Sequence, residues 1–132
     1  MDQGPLVKEE IEAGAQLARE FDRFAPVKVA FWLKEADDPY RYLHLASDRI
    51  DEIGLDMAYA EILRILAKID SPDLDPFRIK VIGGDEPRAL AALKFANSLP
   101  KARGMRLNYA WFGDRSSDDA YIYPLPLPVA AS

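Results

Sequence analysis

The chain has 132 residues, the size of one ordinary domain, and its 49% hydrophobic and 30% charged residues are the balance of a folded, water-soluble protein rather than a disordered one. The absence of cysteine excludes disulfides, thiolate metal sites and cysteine nucleophiles, and a single histidine excludes a multi-histidine metal centre within one chain. A formal charge of −5 argues against a protein that lives on DNA or on an anionic membrane, because both reward a basic footprint.

Met1 to Glu12 has neither a basic n-region nor an apolar h-region, and no apolar run reaches the length of a membrane span. The expectation is a cytoplasmic protein with one domain over residues 1–123 and a proline-rich tail over 124–132.

Helical spacing of Val7, Ile11, Gly14, Ala18 and Phe21 predicts a helix from about Leu6 to Phe24, ended by Pro26. The period then becomes two. Val27 to Lys34 and Tyr40 to Ala46 read as a hairpin around Glu35-Ala36-Asp37-Asp38-Pro39. Ser47 to Gly54 is a connection with room for one helical turn. A second helix follows over Leu55 to Ile69, with Ala58, Ile62, Ile65, Leu66 and Ile69 inward, and then an acidic loop to Pro76. Phe77 to Ile82 reads as a strand with Phe77, Ile79 and Val81 on one face. Gly83-Gly84 turns the chain, Asp85 suits an N-cap and Pro87 the first helical turn. The third helix runs to about Asn97 with Ala89, Leu90, Leu93 and Ala96 inward. Lys101 to Gly104 is a basic loop, and strands Arg106–Phe112 and Ala120–Tyr123 are joined through residues 113–119. Pro124-Leu125-Pro126-Leu127-Pro128 begins an extended tail. The order α-β-β-α-β-α-β-β predicts an α+β fold, one mixed, roughly five-stranded sheet with three helices.

The run Pro26-Val27-Lys28-Val29-Ala30-Phe31-Trp32-Leu33 is followed by Leu45-Ala46-Ser47, Ile50-Asp51-Glu52, Gly54, Ala58-Tyr59 and finally Asp119-Ala120-Tyr121-Ile122-Tyr123. Together these resemble a family of small uncharacterised bacterial α+β proteins. The resemblance covers most of the chain and implies a single α+β domain. It implies no activity and transfers no functional residue.

Short motifs read as structure. Gly83-Gly84-Asp85-Glu86 copies four letters of the signature of cyclic-di-GMP-making enzymes, but Pro87 and a helical pattern follow where that family has a turn between strands. As a phosphate cradle it lacks the Walker spacing and its Lys-Ser/Thr pair, and its acids would repel phosphate. Asp37/Asp38, Asp73/Asp75 and Asp118/Asp119 could bind Mg²⁺ or divide acid and base roles, yet each pair sits in turn chemistry that favours Asp by itself. His44 and Asp48 form a conceivable proton-transfer pair, with a structural histidine as the simpler reading. None of the serines shows the nucleophile-elbow glycine pattern.

Phasing the strands by apolar alternation puts Val27, Val29, Phe31, Leu33, Leu43, Leu45, Phe77, Ile79 and Val81 toward the helices. The other side then gathers Trp32, Tyr40, Tyr42, His44, Arg78, Lys80, Tyr121 and Tyr123 as a candidate binding face, with Tyr109 and Trp111 turned inward. The expected strands hold Lys28, Lys34, Arg41, Arg78, Lys80 and Arg106 and no acidic residue, so the −5 averages a basic sheet with an acidic remainder. Three readings stay open: helices cover both faces and the aromatics are core; the face is a protein interface, foremost a C₂ homodimer; or it stacks single-stranded nucleic acid or a planar anion. The expectation is a non-catalytic binding or protein-interaction module acting as a homodimer. No catalytic residue, cofactor or metal is assigned; a further protein partner is allowed for and nucleic acid is the minority alternative. An enzyme with a carboxylate site hidden from the sequence is the remaining option.

Overall fold

The computed structural model describes residues 6–98 and 104–127; most of the basic loop expected at 101–104 and tail residues 128–132 lie outside them. In chain order the elements are α1 (Lys8–Phe24), β1 (Val29–Glu35), β2 (Tyr42–Ser47), the single turn α2 (Ile50–Ile53), α3 (Leu55–Ile69), β3 (Ile79–Gly83), α4 (Pro87–Asn97), β4 (Met105–Phe112) and β5 (Arg115–Ile122). They form the expected α+β fold around one mixed five-stranded sheet ordered β3-β2-β1-β5-β4. Only β2 and β3 are parallel, and α2 and α3 make the crossover that a parallel pair requires. No helix among the described residues is long and apolar enough to cross a membrane.

Helix α1 buries Leu17, Ala18 and Phe21 along one stripe, and the Glu10 carboxylate accepts the N–H of Val7 at its start. Helix α3 has the bounds its periodicity predicts. Gly54 precedes it at φ +89°, a conformation glycine adopts without strain, and Asp70 closes it in the left-handed region.

Helices cover both faces of the sheet. On one, α1 and α3 pack over Ala30, Trp32, Leu43, Leu45, Ile79 and Val81. On the other, α4 packs over Val29, Phe31, Leu33 and Ile122. The expected inner stripe of α4 is corrected: Ala89, Ala92 and Ala96 face the sheet, while Leu90 is 45% exposed. Small side chains let the helix sit close, and Phe95 and Phe112, with ring centroids 5.5 Å apart, fill the margin.

Two strand boundaries also differ. Asp75 accepts the amide of Phe77 at 2.9 Å, so Pro76–Arg78 winds a 3₁₀ turn and Phe77, expected inside, is 82% exposed. Strand β5 begins at Arg115 rather than near Ala120. Gly113, at φ +67°, occupies the first position of a two-residue hairpin turn between Phe112 and Arg115. The polar run Ser116-Ser117-Asp118-Asp119 is strand because Lys34 and Arg41 neutralise its two carboxylates. The tail starts folded: Leu125 packs against the α4 layer and Leu127 against the α1–α3 layer.

Gly14 is where α1 meets the sheet most closely. The Trp32 indole N–H donates to the Tyr123 hydroxyl at 2.9 Å, and that hydroxyl donates to the Ile11 carbonyl at 2.7 Å. A Cβ on Gly14 would overlap the Tyr123 hydroxyl and lie 3.1 Å from Trp32 Nε1. Gly14→Ala is therefore expected to lower stability by about 1–3 kcal/mol in urea unfolding, although alanine is the better helix former by about 1 kcal/mol. In a Tyr123→Phe background the same change should cost less, because the colliding atom is gone. A Gly14→Ala protein as stable as its parent would refute the close approach.

Candidate functional site

The register divides the eight candidate residues between the two faces. Trp32 pairs with Leu43 and Phe31 with His44, so Trp32 lies with Leu43 under α1 and α3, not beside Tyr42. Strand β1 is apolar in both phases, Val29 to Leu33 all buried, and alternation alone cannot say which set faces which helix. Trp32 and Tyr123 are therefore core. Tyr121 is half-buried on their side, its ring edge-on to Tyr123 at 5.1 Å. The continuous aromatic platform does not form.

Tyr40, Tyr42, His44, Arg78 and Lys80 do come together, on the face that α4 shares. The Arg78 guanidinium lies 3.6 Å from the Tyr40 ring centre and 5.6 Å from that of Tyr42. The Lys80 ammonium lies 4.3 Å over Tyr42. No described carboxylate is within ion-pair distance of Arg78 or Lys80. Three of the other cations expected on strands are matched: Lys28 by Asp48 at 3.2 Å, Lys34 by Asp118 at 2.8 Å and Arg41 by Asp119 at 3.2 Å. Arg106 donates to the Leu6 carbonyl. The expectation that the strands lack acids is corrected, since β1 ends on Glu35 and β5 contains Asp118 and Asp119.

Beside this cluster opens a cleft of about 540 Å³ lined by Glu35, Asp37, Asp38, Pro39, Tyr40, Lys80, Arg88 and Arg115. Glu35 accepts from Arg88 at 2.8 Å and from Arg115 at 3.0 Å, and Arg88 also donates to Glu86 at 3.0 Å. Asp38 accepts the Tyr40 N–H at 2.9 Å, the self-contained turn expected of that pair. Sequence reasoning missed Glu35, Arg88 and Arg115. They are 53 and 80 residues apart in pairs with Glu35, and no local spacing signals such contacts.

His44 is 1% exposed and stacks on Phe31 at 4.7 Å with rings 2° from parallel. Its Nδ1–H donates to the Tyr42 carbonyl at 3.1 Å, which leaves Nε2 as a buried acceptor without a partner among the described residues. Burial, then the charges of Arg88 and Lys80, push its pKa down to about 3. Asp48 belongs to Lys28, so the His44–Asp48 proton-transfer pair does not form. The Gly83-Gly84 step is a close approach: a Cβ on Gly84 would overlap Asp48 and Lys28. The α4 cap falls at Glu86, one residue after Asp85, with Pro87 at the first helical position as expected. No described group of three His, Asp or Glu side chains is placed to hold a metal ion.

Comparison of the chain with protein-family models, with curated proteins and with solved structures finds no match.

The lone histidine makes stability depend on pH in a definite direction. An unfolded His44 takes up a proton below its ordinary pKa of 6.5, whereas the folded one stays neutral down to about 3. The stabilisation is complete above pH 6.5 and is lost as pH falls toward 3. Unfolding free energy should drop by about 2 kcal/mol between pH 7 and pH 5. His44→Phe should flatten that slope, whatever its own stability; an unchanged slope would show that another group is responsible.

Proposed function

We propose that the chain is a non-catalytic protein-interaction module that acts as a homodimer paired along β4. The observation that carries this reading is the exposure of Tyr109, at 83%, and Trp111, at 66%, on a strand at the edge of the sheet. Both were expected to point inward. Tyr109 adopts φ +55°, rare for an aromatic residue, and the strand's facing phase slips there: Leu107 and then Ala110 and Phe112 all turn toward the α4 layer. The two large aromatics are thereby left in solvent.

A long edge strand offers unpaired backbone donors and acceptors, which proteins ordinarily blunt with lysine, proline or shortness. Strand β3, at the other edge, is five residues long and carries Lys80. Strand β4 is eight residues long and carries Tyr and Trp, residue types enriched at interfaces. A second copy is the partner that an antiparallel edge accommodates by two-fold symmetry. The non-catalytic part of the reading is supported by the saturation of Glu35, Asp118 and Asp119 by neighbouring cations. Trp32 has no place in this interface, because it is core.

In sedimentation velocity the chain is expected to run at twice the monomer mass. The double variant Tyr109→Ser/Trp111→Ser should run as a monomer with unchanged circular dichroism. A parent protein that stays monomeric up to high micromolar concentration would overturn the reading.

A further inference from the structure

We infer that the margin of the sheet face beside α4, where Tyr40, Tyr42, Arg78 and Lys80 gather, is a binding site for a compact oxyanion, a phosphate or carboxylate group borne by a small molecule. Helix α4 packs against β1, β4 and β5. The outward side of β2 and β3 on that face carries Tyr42 and Lys80, joined at the strand entrances by Tyr40 and Arg78. The two cations sit on the faces of the two rings, which fixes their position without neutralising them. An oxyanion would supply the hydrogen-bond acceptors that no described carboxylate gives them.

The cleft next to Lys80 bounds the ligand. Its 540 Å³ suits a small molecule. Within it Glu35 is neutralised by Arg88 and Arg115, whereas Asp38 takes only a neutral donor, the Tyr40 N–H, and Asp37 also lines the cleft, so an oxyanion would sit toward Lys80 and away from the Asp37–Asp38 turn. A stacking nucleic acid is disfavoured here, because the ring faces of Tyr40 and Tyr42 are already occupied by Arg78 and Lys80. The site does not rest on pairing along β4.

The chain's only histidine is a built-in reporter. His44 is the register partner of Lys80, so its ring lies beside the proposed anion and gives a single imidazole signal. The experiment is an NMR titration of the whole chain with inorganic phosphate and, separately, with citrate. Saturable movement of the His44 ring signal and the Lys80 amide is expected with at least one of them, and which one identifies phosphate or carboxylate as the group recognised. Added salt should weaken the response. Lys80→Gln and Arg78→Gln should each weaken binding about tenfold, while Lys80→Arg should retain it. Lys94→Gln, a cation elsewhere on α4, should change nothing. Tyr109→Ser/Trp111→Ser should leave the response intact whatever it does to the dimer, which separates this site from the interface. No saturable shift with either anion, or equal shifts in Lys80→Gln, would overturn the proposal. So would binding of a single-stranded oligonucleotide with no response to either anion.

Discussion

Strands β3 and β4 are consecutive in the chain but lie at opposite edges of the sheet, so the connection that carries α4 must cross from one edge to the other over one face. The other face is already taken by α1 and by α3, which the parallel β2–β3 crossover lays down. This one connection makes the sheet the middle of three layers and puts β1, its central strand, inside on both sides. Burying Trp32 then requires a partner for its indole N–H. Tyr123 supplies it, and passes the hydrogen bond on to the α1 backbone at Ile11. Only a glycine at position 14 leaves room for that hydroxyl. The last strand, the central strand and the first helix are thus joined at one point, far apart in sequence.

The same crossing sets the electrostatics. A helix spans about 10 Å with its side chains, and five strands are wider than that, so α4 packs on β1, β5 and β4 and leaves Tyr42 and Lys80 at the far margin of the face partly exposed. Where strands are covered, their cations are matched. Arg41 is buried against Asp119, and Lys34 reaches Asp118, the residue at which the β1–β5 register shifts. Ion pairs of this kind add little net stability, since desolvation offsets attraction, but breaking one leaves a buried charge. Their contribution here is to hold a polar strand, β5, in one register. At that margin Arg78 and Lys80 meet rings, and no described carboxylate is within ion-pair distance of either.

Legibility followed periodicity. Helix α3 could be delimited to the residue because an apolar stripe, a glycine before it and a turn-forming Asp after it agree. The class of fold came from the order of such segments. What could not be read was the relation between strands. Apolar alternation phases a strand buried on one face, but Val29-Ala30-Phe31-Trp32-Leu33 is buried on both, and the Trp32–Leu43 pairing that decides its phase is long-range. That is why Trp32, Tyr121 and Tyr123 separate from Tyr40, Tyr42, Arg78 and Lys80. Composition misled at β5, where Ser and Asp look like loop until their partners Lys34 and Arg41 are known. It misled again on α4, where leucine is the better core residue in isolation but alanine permits the closer helix.

Local rules and the global fold agree through most of the molecule, and the places where they part are few. In α1, α3 and the alanine stripe of α4, propensity, patterning and packing point the same way. Two regions break ranks. On β4, a tyrosine sits at positive φ and two large aromatics face solvent. On β2 and β3, a buried histidine keeps an Nε2 without a partner among the described residues, and its register partner Lys80 has no described carboxylate within ion-pair distance. A buried acceptor left unmatched costs about 1–3 kcal/mol, and a stacked phenylalanine at position 44 would avoid that cost. Neither departure strengthens the fold; the first lies on an exposed edge strand, and the second lies beneath the partly exposed Lys80. The proposed edge interface and the proposed oxyanion site sit at those two places, where the sequence departs from what folding alone would favour.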